Sequence, residues 1–311
     1  MSHSISRPLS RRAALGTAAA AVPAAVLAAS GRAAAADEPR PVERIRAAAE
    51  VGRVRLTWEG EAYHPLVDHY ALYASRSRDF TVGPDTLLTK TVYASFLHDR
   101  QGGHRQDWYY RIVTVDASGA RSEPSALVEG HSAESVALSA KPIARVGKYD
   151  HRSLGFALAP AGYAQYKDRF PNGVDYTYGT SKPETDWSYI QPGPADGWAG
   201  NRESSTTFRF NLDTVPAETW LSIWLIDTHA TLPGSLLISA NGTAVPEVKL
   251  ENGATRGSLE GDATVPGTLL KPSYVELALP RAAMRKGRNA VVIRKRTGSW
   301  HVFDALGVFA R

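Results

Sequence analysis

Residues 170–191 read FPNGVDYTYGTSKPETDWSYIQ, and the order of this stretch decides the fold. Pro171-Asn172-Gly173 is a turn signal, since Pro presets its own φ and Asn and Gly tolerate the left-handed conformations of tight turns. Val174-Asp175-Tyr176-Thr177-Tyr178 then alternates with a period of two, the pattern of a half-buried strand. Gly179-Thr180-Ser181 breaks the pattern again, and Asp186-Trp187-Ser188-Tyr189-Ile190-Gln191 follows. Strand, turn and a second aromatic box in so few residues point to an all-β chain.

Outward from this stretch, residues 143–311 keep the same texture. The run 206–212 (TTFRFNL) sets Phe208, Phe210 and Leu212 on one face. The run 220–226 (WLSIWLI) is apolar on both faces, which predicts a central, buried strand. Residues 236–239, the Asn241-Gly242 turn and Val245 read as strand, turn and returning strand. The runs 274–279, 287–296 and 302–309 supply the last strands, with a short helical turn over 281–286. The expectation is a jelly-roll β-sandwich.

Residues 41–131 predict a second all-β sandwich. The run 51–58 (VGRVRLTW) alternates Val54, Leu56 and Trp58 with arginines; 69–75 (HYALYAS) alternates Tyr70, Leu72 and Ala74; 108–115 (WYYRIVTV) is a long strand closed by the turn at 116–119. Trp58, Tyr70, Tyr73 and the ending DASGARSEPS (116–125) resemble a fibronectin type III module, which implies a fold and is nearly silent on function. Residues 132–142 are short, small and polar and read as a linker.

The box at 186–191 and its surroundings resemble the C-terminal, carbohydrate-binding-like domain (domain III) of the rhamnogalacturonan lyases, polysaccharide lyase family 4. The approach Arg169-Phe170-Pro171, the strand 174–178 and the box 186–191 follow in the family's order. So do the opening 143–153 (IARVGKYDHRS), the turn 282–289 (AAMRKGRN) and the closing Phe303-Asp304-Ala305-Leu306. Together they span nearly all of 143–311. Val146 replaces the usual Ile, a neutral change, and Lys182-Pro183-Glu184 lengthens the loop before Asp186, at the rim of any ligand groove. The resemblance implies a galactose-binding-like jelly roll directed at pectin, rhamnogalacturonan above all. It implies no catalytic machinery here, because in the family that lies in a different domain. It also implies a structural calcium ion, with Asp150 and Asp304 as candidate ligands on the opening and closing strands.

Ser10-Arg11-Arg12 followed by an Ala-rich apolar run and Ala34-Ala35-Ala36 reads as a twin-arginine export signal over 1–36. An anchor is the alternative, but Pro23, Gly31 and the scarcity of Leu and Ile make insertion weak. The expectation is a secreted, extracellular protein with no membrane association after cleavage. The chain has 36 basic and 31 acidic residues; Arg7, Arg11, Arg12 and Arg32 fall in the signal, leaving 32 against 31. A near-neutral mature chain argues against nucleic acid as partner. With no cysteine, thiol catalysis, cysteine–zinc sites and iron–sulfur clusters are excluded.

Catalytic signals are weak. The eight histidines past the signal are scattered, none as a metal motif; His98 and His104 share a loop region and read as ordinary surface imidazoles. Asp175 and Asp186 could form a carboxylate pair as in glycoside hydrolysis, but Asp186 before Trp187 reads better as a structural acceptor organising its loop. Sugar binding needs less: aromatic faces for C–H surfaces and polar side chains for hydroxyls. Trp187, Tyr189, Gln191, Trp198, Asn201 and Arg202 lie in or beside one Gly/Pro-rich region, with Asp186 at its start. Trp198 sits in QPGPADGWAG (191–200), a loop, and serves either as a sugar platform or as a plug closing the sandwich. Trp187 reads more readily as core. Trp300 and His301 follow the basic run Arg294-Lys295-Arg296, which suits an acidic polysaccharide or forms the solvated face of an edge strand. The leading expectation is a secreted binder of acidic plant cell-wall polysaccharide lacking the family's catalytic domain and working beside a separate enzyme. The alternatives are a lyase or other polysaccharide-degrading enzyme with an unrecognised site, and a structural or interaction module.

Overall fold

Two β-sandwiches follow one another along the chain in the computed structural model, which describes residues 39–60, 67–257, 262–265 and 267–311. The export signal read over 1–36 lies outside the described residues. In the first sandwich, β1 (Glu43–Glu50), β2 (Arg53–Glu59), β3 (Val67–Ser75), β4 (Leu87–Thr91), β5 (Ser95–His98), β6 (Asp107–Asp116) and β7 (Val128–His131) form two antiparallel sheets, ordered β1-β2-β5 and β4-β3-β6-β7. Alternation along β2 buries Val54, Leu56 and Trp58 and leaves Arg55 and Thr57 in solvent. The buried three meet Tyr70, Leu72, Tyr110 and Ile112 from the facing sheet, with the Trp58 ring edge-on to Tyr70 at 5.5 Å. His98 is not a surface imidazole. It is buried, hydrogen-bonded to the Tyr110 hydroxyl at 2.9 Å, and burial pushes its pKa down to about 4, whereas His104 is exposed beside Glu134.

The expected linker is ordered. Ser132 and Ser135 are fully buried. The one-turn α1 (Val136–Ser139) starts with the Ser135 hydroxyl accepting from the Ala137 amide at 3.1 Å. The next strand opens already at Lys141.

The second sandwich comprises β8 (Lys141–Gly147), α2 (Tyr166–Arg169), β9 (Val174–Thr177), α3 (Pro183–Asp186), β10 (Ile190–Gln191), β11 (Ser204–Leu212), β12 (Thr219–Thr228), β13 (Ser235–Ala240), β14 (Thr243–Ala244), β15 (Val248–Lys249), β16 (Ser273–Leu279), β17 (Gly287–Lys295) and β18 (His301–Ala310). One sheet runs β10-β18-β12-β16, with β8 also on β18; the other runs β14-β13-β17-β11-β9, with β15 also on β13. β9 joins β11 in parallel, and the remaining pairings are antiparallel. Trp187 sits in the core between the sheets, edge-on to Phe303 at 5.1 Å and to Tyr176 at 5.6 Å. β17 lies between β13 and β11, so the basic run 294–296 is not an edge strand. No described helix is long and apolar enough to cross a membrane.

β12 is central, and both of its faces are covered. Leu221, Ile223 and Leu225 point into the core; a bulge at Leu225, where the register to β18 shifts, turns Ile226 inward as well. On the outer face, Trp224 and Ser222 meet the segment that joins the sandwiches. Trp224 Nε1 donates to Ser135 Oγ at 3.1 Å, Ser222 Oγ donates to Glu276 Oε1 at 2.7 Å, and the Val136 amide donates to Glu276 Oε2 at 2.9 Å. A Cβ on Gly103 would stand 2.4 Å from the Trp224 ring, and one on Gly52, at φ +69°, 2.3 Å from Tyr274. Only glycine permits this approach of the two sandwiches.

Candidate functional site

The loops at one end of the second sandwich surround a cavity of about 590 Å³. That end is where β12 and β17 finish and where β11, β13 and β18 start. Its size falls within the range of small-ligand sites. Loop 192–200 is shaped by one carboxylate. Asp196 is 5% exposed; its Oδ2 accepts from the Gly193 amide at 2.8 Å and its Oδ1 from Ser299 Oγ at 2.5 Å. Its carbonyl accepts from the amides of Ala199 and Asn201, both at 3.1 Å. The result is a short 3-10 turn, Gly197–Ala199, that carries Trp198 to the cavity wall.

Trp198 is half-buried: it packs on the core on one side and lines the cavity on the other. Tyr163 backs it edge-on at 5.2 Å and Tyr166 at 6.5 Å, fixing the indole without covering it. Trp300, 2% exposed, borders the cavity below and meets the His229 ring at 5.9 Å. His229 Nδ1 accepts from the amides of Leu232 (3.0 Å) and Thr231 (3.3 Å), which places the proton of the neutral ring on Nε2. Burial lowers its pKa, which favours the neutral ring. The exposed Arg256 and Leu232 also line the cavity. An aromatic wall, an imidazole donor and a guanidinium can stack on a sugar ring and hydrogen-bond its polar groups.

The other residues singled out in the sequence lie outside the cavity lining. Trp187, Tyr189, Gln191 and His301 are buried to 1% exposure or less, where no sugar face reaches them. Gln191 Nε2 donates to the carbonyls of Ile293 (3.2 Å) and Ser204 (3.3 Å), tying the two sheets together. Asp186 ends α3 and accepts the Lys182 amide at 2.8 Å, the structural role read for it. Asp175 is held by Arg209 at 2.7 and 2.8 Å, so each carboxylate of the supposed pair has its own partner. Asn201, at φ +52°, donates to the Pro194 carbonyl at 3.1 Å and stabilises the Trp198 loop, while Arg202 is exposed and outside the cavity lining. The basic run is split. Arg294 and Arg296 both pair with Glu203, whereas Lys295 is fully buried, donates to the Pro233 carbonyl and has its pKa pushed down to about 7 by burial.

For calcium, Asp150 and Asp304 do converge: the Arg152 amide donates to Asp304 Oδ1 at 2.9 Å and to Asp150 Oδ1 at 3.2 Å. Asp304 is fully buried, and burial pushes its carboxyl up to about 7. Calcium takes about six to eight oxygens, and among the described residues no three His, Cys, Asp or Glu side chains gather at any point. Asp304 Oδ2 is buried with no hydrogen-bond partner, but two carboxylates do not by themselves supply the ion's set of oxygens.

Tyr163, His229 and Arg256 were not singled out from the sequence. Each comes from a different loop, and the only local signal was a ring or cation beside turn residues, as in His229 before Pro233-Gly234.

The second sandwich thus carries an aromatic and polar cavity among the loops at one end. Residues 142–307 match the CBM-like family described as polysaccharide lyase family 4, domain III. The match covers more than half of the 311 residues, and the chain belongs to this family. Among solved structures, similar chains include a family 35 carbohydrate binding module from an environmental isolate (10% identity, TM-score 0.26, 35% of this chain and 66% of that one). A human fibronectin type-III domain is similar at 15% identity and TM-score 0.25, over 34% of this chain and 97% of that one. An α-L-rhamnosidase from Dictyoglumus thermophilum is similar at 10% identity and TM-score 0.28 over 88% of this chain, which spans 29% of that enzyme's length. Comparison with curated proteins gave no match.

Proposed function

We propose that the cavity at the end of the second sandwich binds a plant cell-wall polysaccharide of the pectin type, rhamnogalacturonan in the first place. The chain is then an exported, non-catalytic accessory that holds a separate degrading enzyme's substrate. The observation that carries this reading is Trp198, presented half-buried at the cavity wall by a loop that Asp196 pins, with Arg256 across the same cavity. The indole offers a stacking face for the sugar ring, and the guanidinium offers a paired charge for a galacturonate carboxylate. The supposed carboxylate pair is dispersed into separate structural bonds, which supports binding over hydrolysis.

The test is pull-down of the mature protein on insoluble pectin, run beside ultraviolet detection of the unsaturated uronate that a lyase releases. Binding without new absorbance, lost in Trp198→Ala, is the expected result. Absorbance that persists through purification would replace this reading with an enzyme.

A further inference from the structure

The loop that carries Arg256 is held from two directions. From its own sandwich, buried Asp227 accepts the Ala254 amide at 2.8 Å and Thr255 Oγ1 at 2.9 Å, and the Ala230 amide donates to the Thr255 carbonyl at 2.7 Å. Gly253 lies so close to this strand end that a Cβ would stand 1.8 Å from the Thr228 carbonyl oxygen. These bonds hold residues 253–255 on the end of β12, and at the root of the loop Thr228 Oγ1 donates to the Glu251 carbonyl at 2.5 Å.

The side chain at the root is also reached from the first sandwich. Arg53 of β2 reaches Glu251 at 2.9 Å, and the same guanidinium is oriented by Glu50 at 2.5 Å. Lys271 donates to the Asn252 carbonyl at 3.2 Å and lies 3.7 Å from Asp99, the residue after β5. Both ion pairs are half-buried, with side-chain exposures of 20% and 35%, and 28% and 36%, so solvent screens them less than exposed pairs. The first sandwich thus touches Glu251 directly through Arg53 and reaches Asn252, four residues before Arg256, only through Lys271.

We infer that the first sandwich is a working part of the ligand site: through Arg53–Glu251 and Asp99–Lys271 it sets the loop 251–257 and thereby presents Arg256 to the cavity. The inference rests on the cavity being the ligand site. Arg53 and Asp99 are positioning residues, acting only through that loop. A merely structural role would move stability and leave Arg256 unaffected.

The test uses the full mature chain and the double variant Arg53→Gln/Asp99→Asn, with a rhamnogalacturonan oligosaccharide as probe and amide hydrogen exchange as a readout without ligand. The expected results are faster exchange at 251–252 and 256–257, on either side of the segment that Asp227 holds, and affinity weaker by about threefold to tenfold, the scale of breaking such pairs. In the Arg256→Ala background the same pair of changes has no further effect on affinity. Unchanged exchange at 251–252 and 256–257 overturns the inference, as does a loss of affinity that persists in full without Arg256. If Trp198→Ala binds like the wild type, the cavity reading itself fails, and that outcome is distinct from either.

Discussion

Ser299 donates to Asp196 across 2.5 Å, and this bond, with the Ala195 amide donating to the Gly298 carbonyl at 3.0 Å, joins the loop that carries Trp198 to the loop that carries Trp300. Both partners are buried, at 4% and 5% exposure, so neither has water to fall back on. Asp196→Ala therefore leaves the Ser299 hydroxyl and the Gly193 amide without their acceptor. It is expected to cost about 1–3 kcal/mol of stability and to weaken sugar binding together with it. Chemical denaturation and calorimetric titration of the same variant check the two effects.

Trp187 and Trp198 are expected to divide stability from binding. Trp187 is fully buried among Phe156, Tyr176, Phe208 and Phe303, so Trp187→Ala opens a core cavity and costs about 3–5 kcal/mol. Trp198 is half-buried, so Trp198→Ala lowers the melting temperature far less while abolishing most of the affinity. Equal melting losses for the two variants would contradict the placement.

Lys295 predicts a specific dependence on pH. Burial lowers its pKa from 10.5 to about 7, opposed by the charge of Asp196, so between those values the folded protein holds fewer protons than the unfolded chain. Its contribution to stability therefore rises with pH through this window, and the cost of the buried charge is full below it. Lys295→Met is expected to melt higher than the wild type at about pH 6 and to lose that advantage by about pH 9, where the wild type keeps its bond to the Pro233 carbonyl. Parallel melting curves for the two proteins across that range would sink the assignment.

The junction between the sandwiches gives a fourth prediction. Gly103→Ala puts a methyl group 2.4 Å from the Trp224 ring, against which the ring cannot yield while its Nε1 stays on Ser135. The expected cost is about 1–3 kcal/mol, read as a shift in the denaturation midpoint.

Most strands were legible because alternation is a local property. The run 220–226 even announced by its two apolar faces that both would be covered. What covers the outer face was not legible, because Ser135 and Gly103 lie far from Trp224 in the chain. β1, β4 and β5 were missed for a related reason: they are short or largely exposed and carry little apolar alternation. At the site, Trp198 could be read from its Gly/Pro-rich loop. The same neighbourhood made Trp187, Tyr189, Gln191 and His301 look available, but pairing of Gln191 with His301 across β10 and β18 lies in the interior. Residue type names what a side chain can contact, and only packing decides which way it faces. Tyr163, His229 and Arg256 meet through three loops with no common spacing, so no pattern in the chain announces them.

The central claim is that the cavity holding Trp198 takes the sugar. The measurement that tests it most directly is calorimetric titration of the mature protein with rhamnogalacturonan oligosaccharides, for the wild type, Trp198→Ala and Tyr93→Ala. Tyr93 is a fitting control, being 59% exposed on the first sandwich and outside the cavity lining. The account predicts binding by the wild type and Tyr93→Ala alike, and a loss of about tenfold or more in Trp198→Ala. Equal affinity in Trp198→Ala, or a loss confined to Tyr93→Ala, would contradict it.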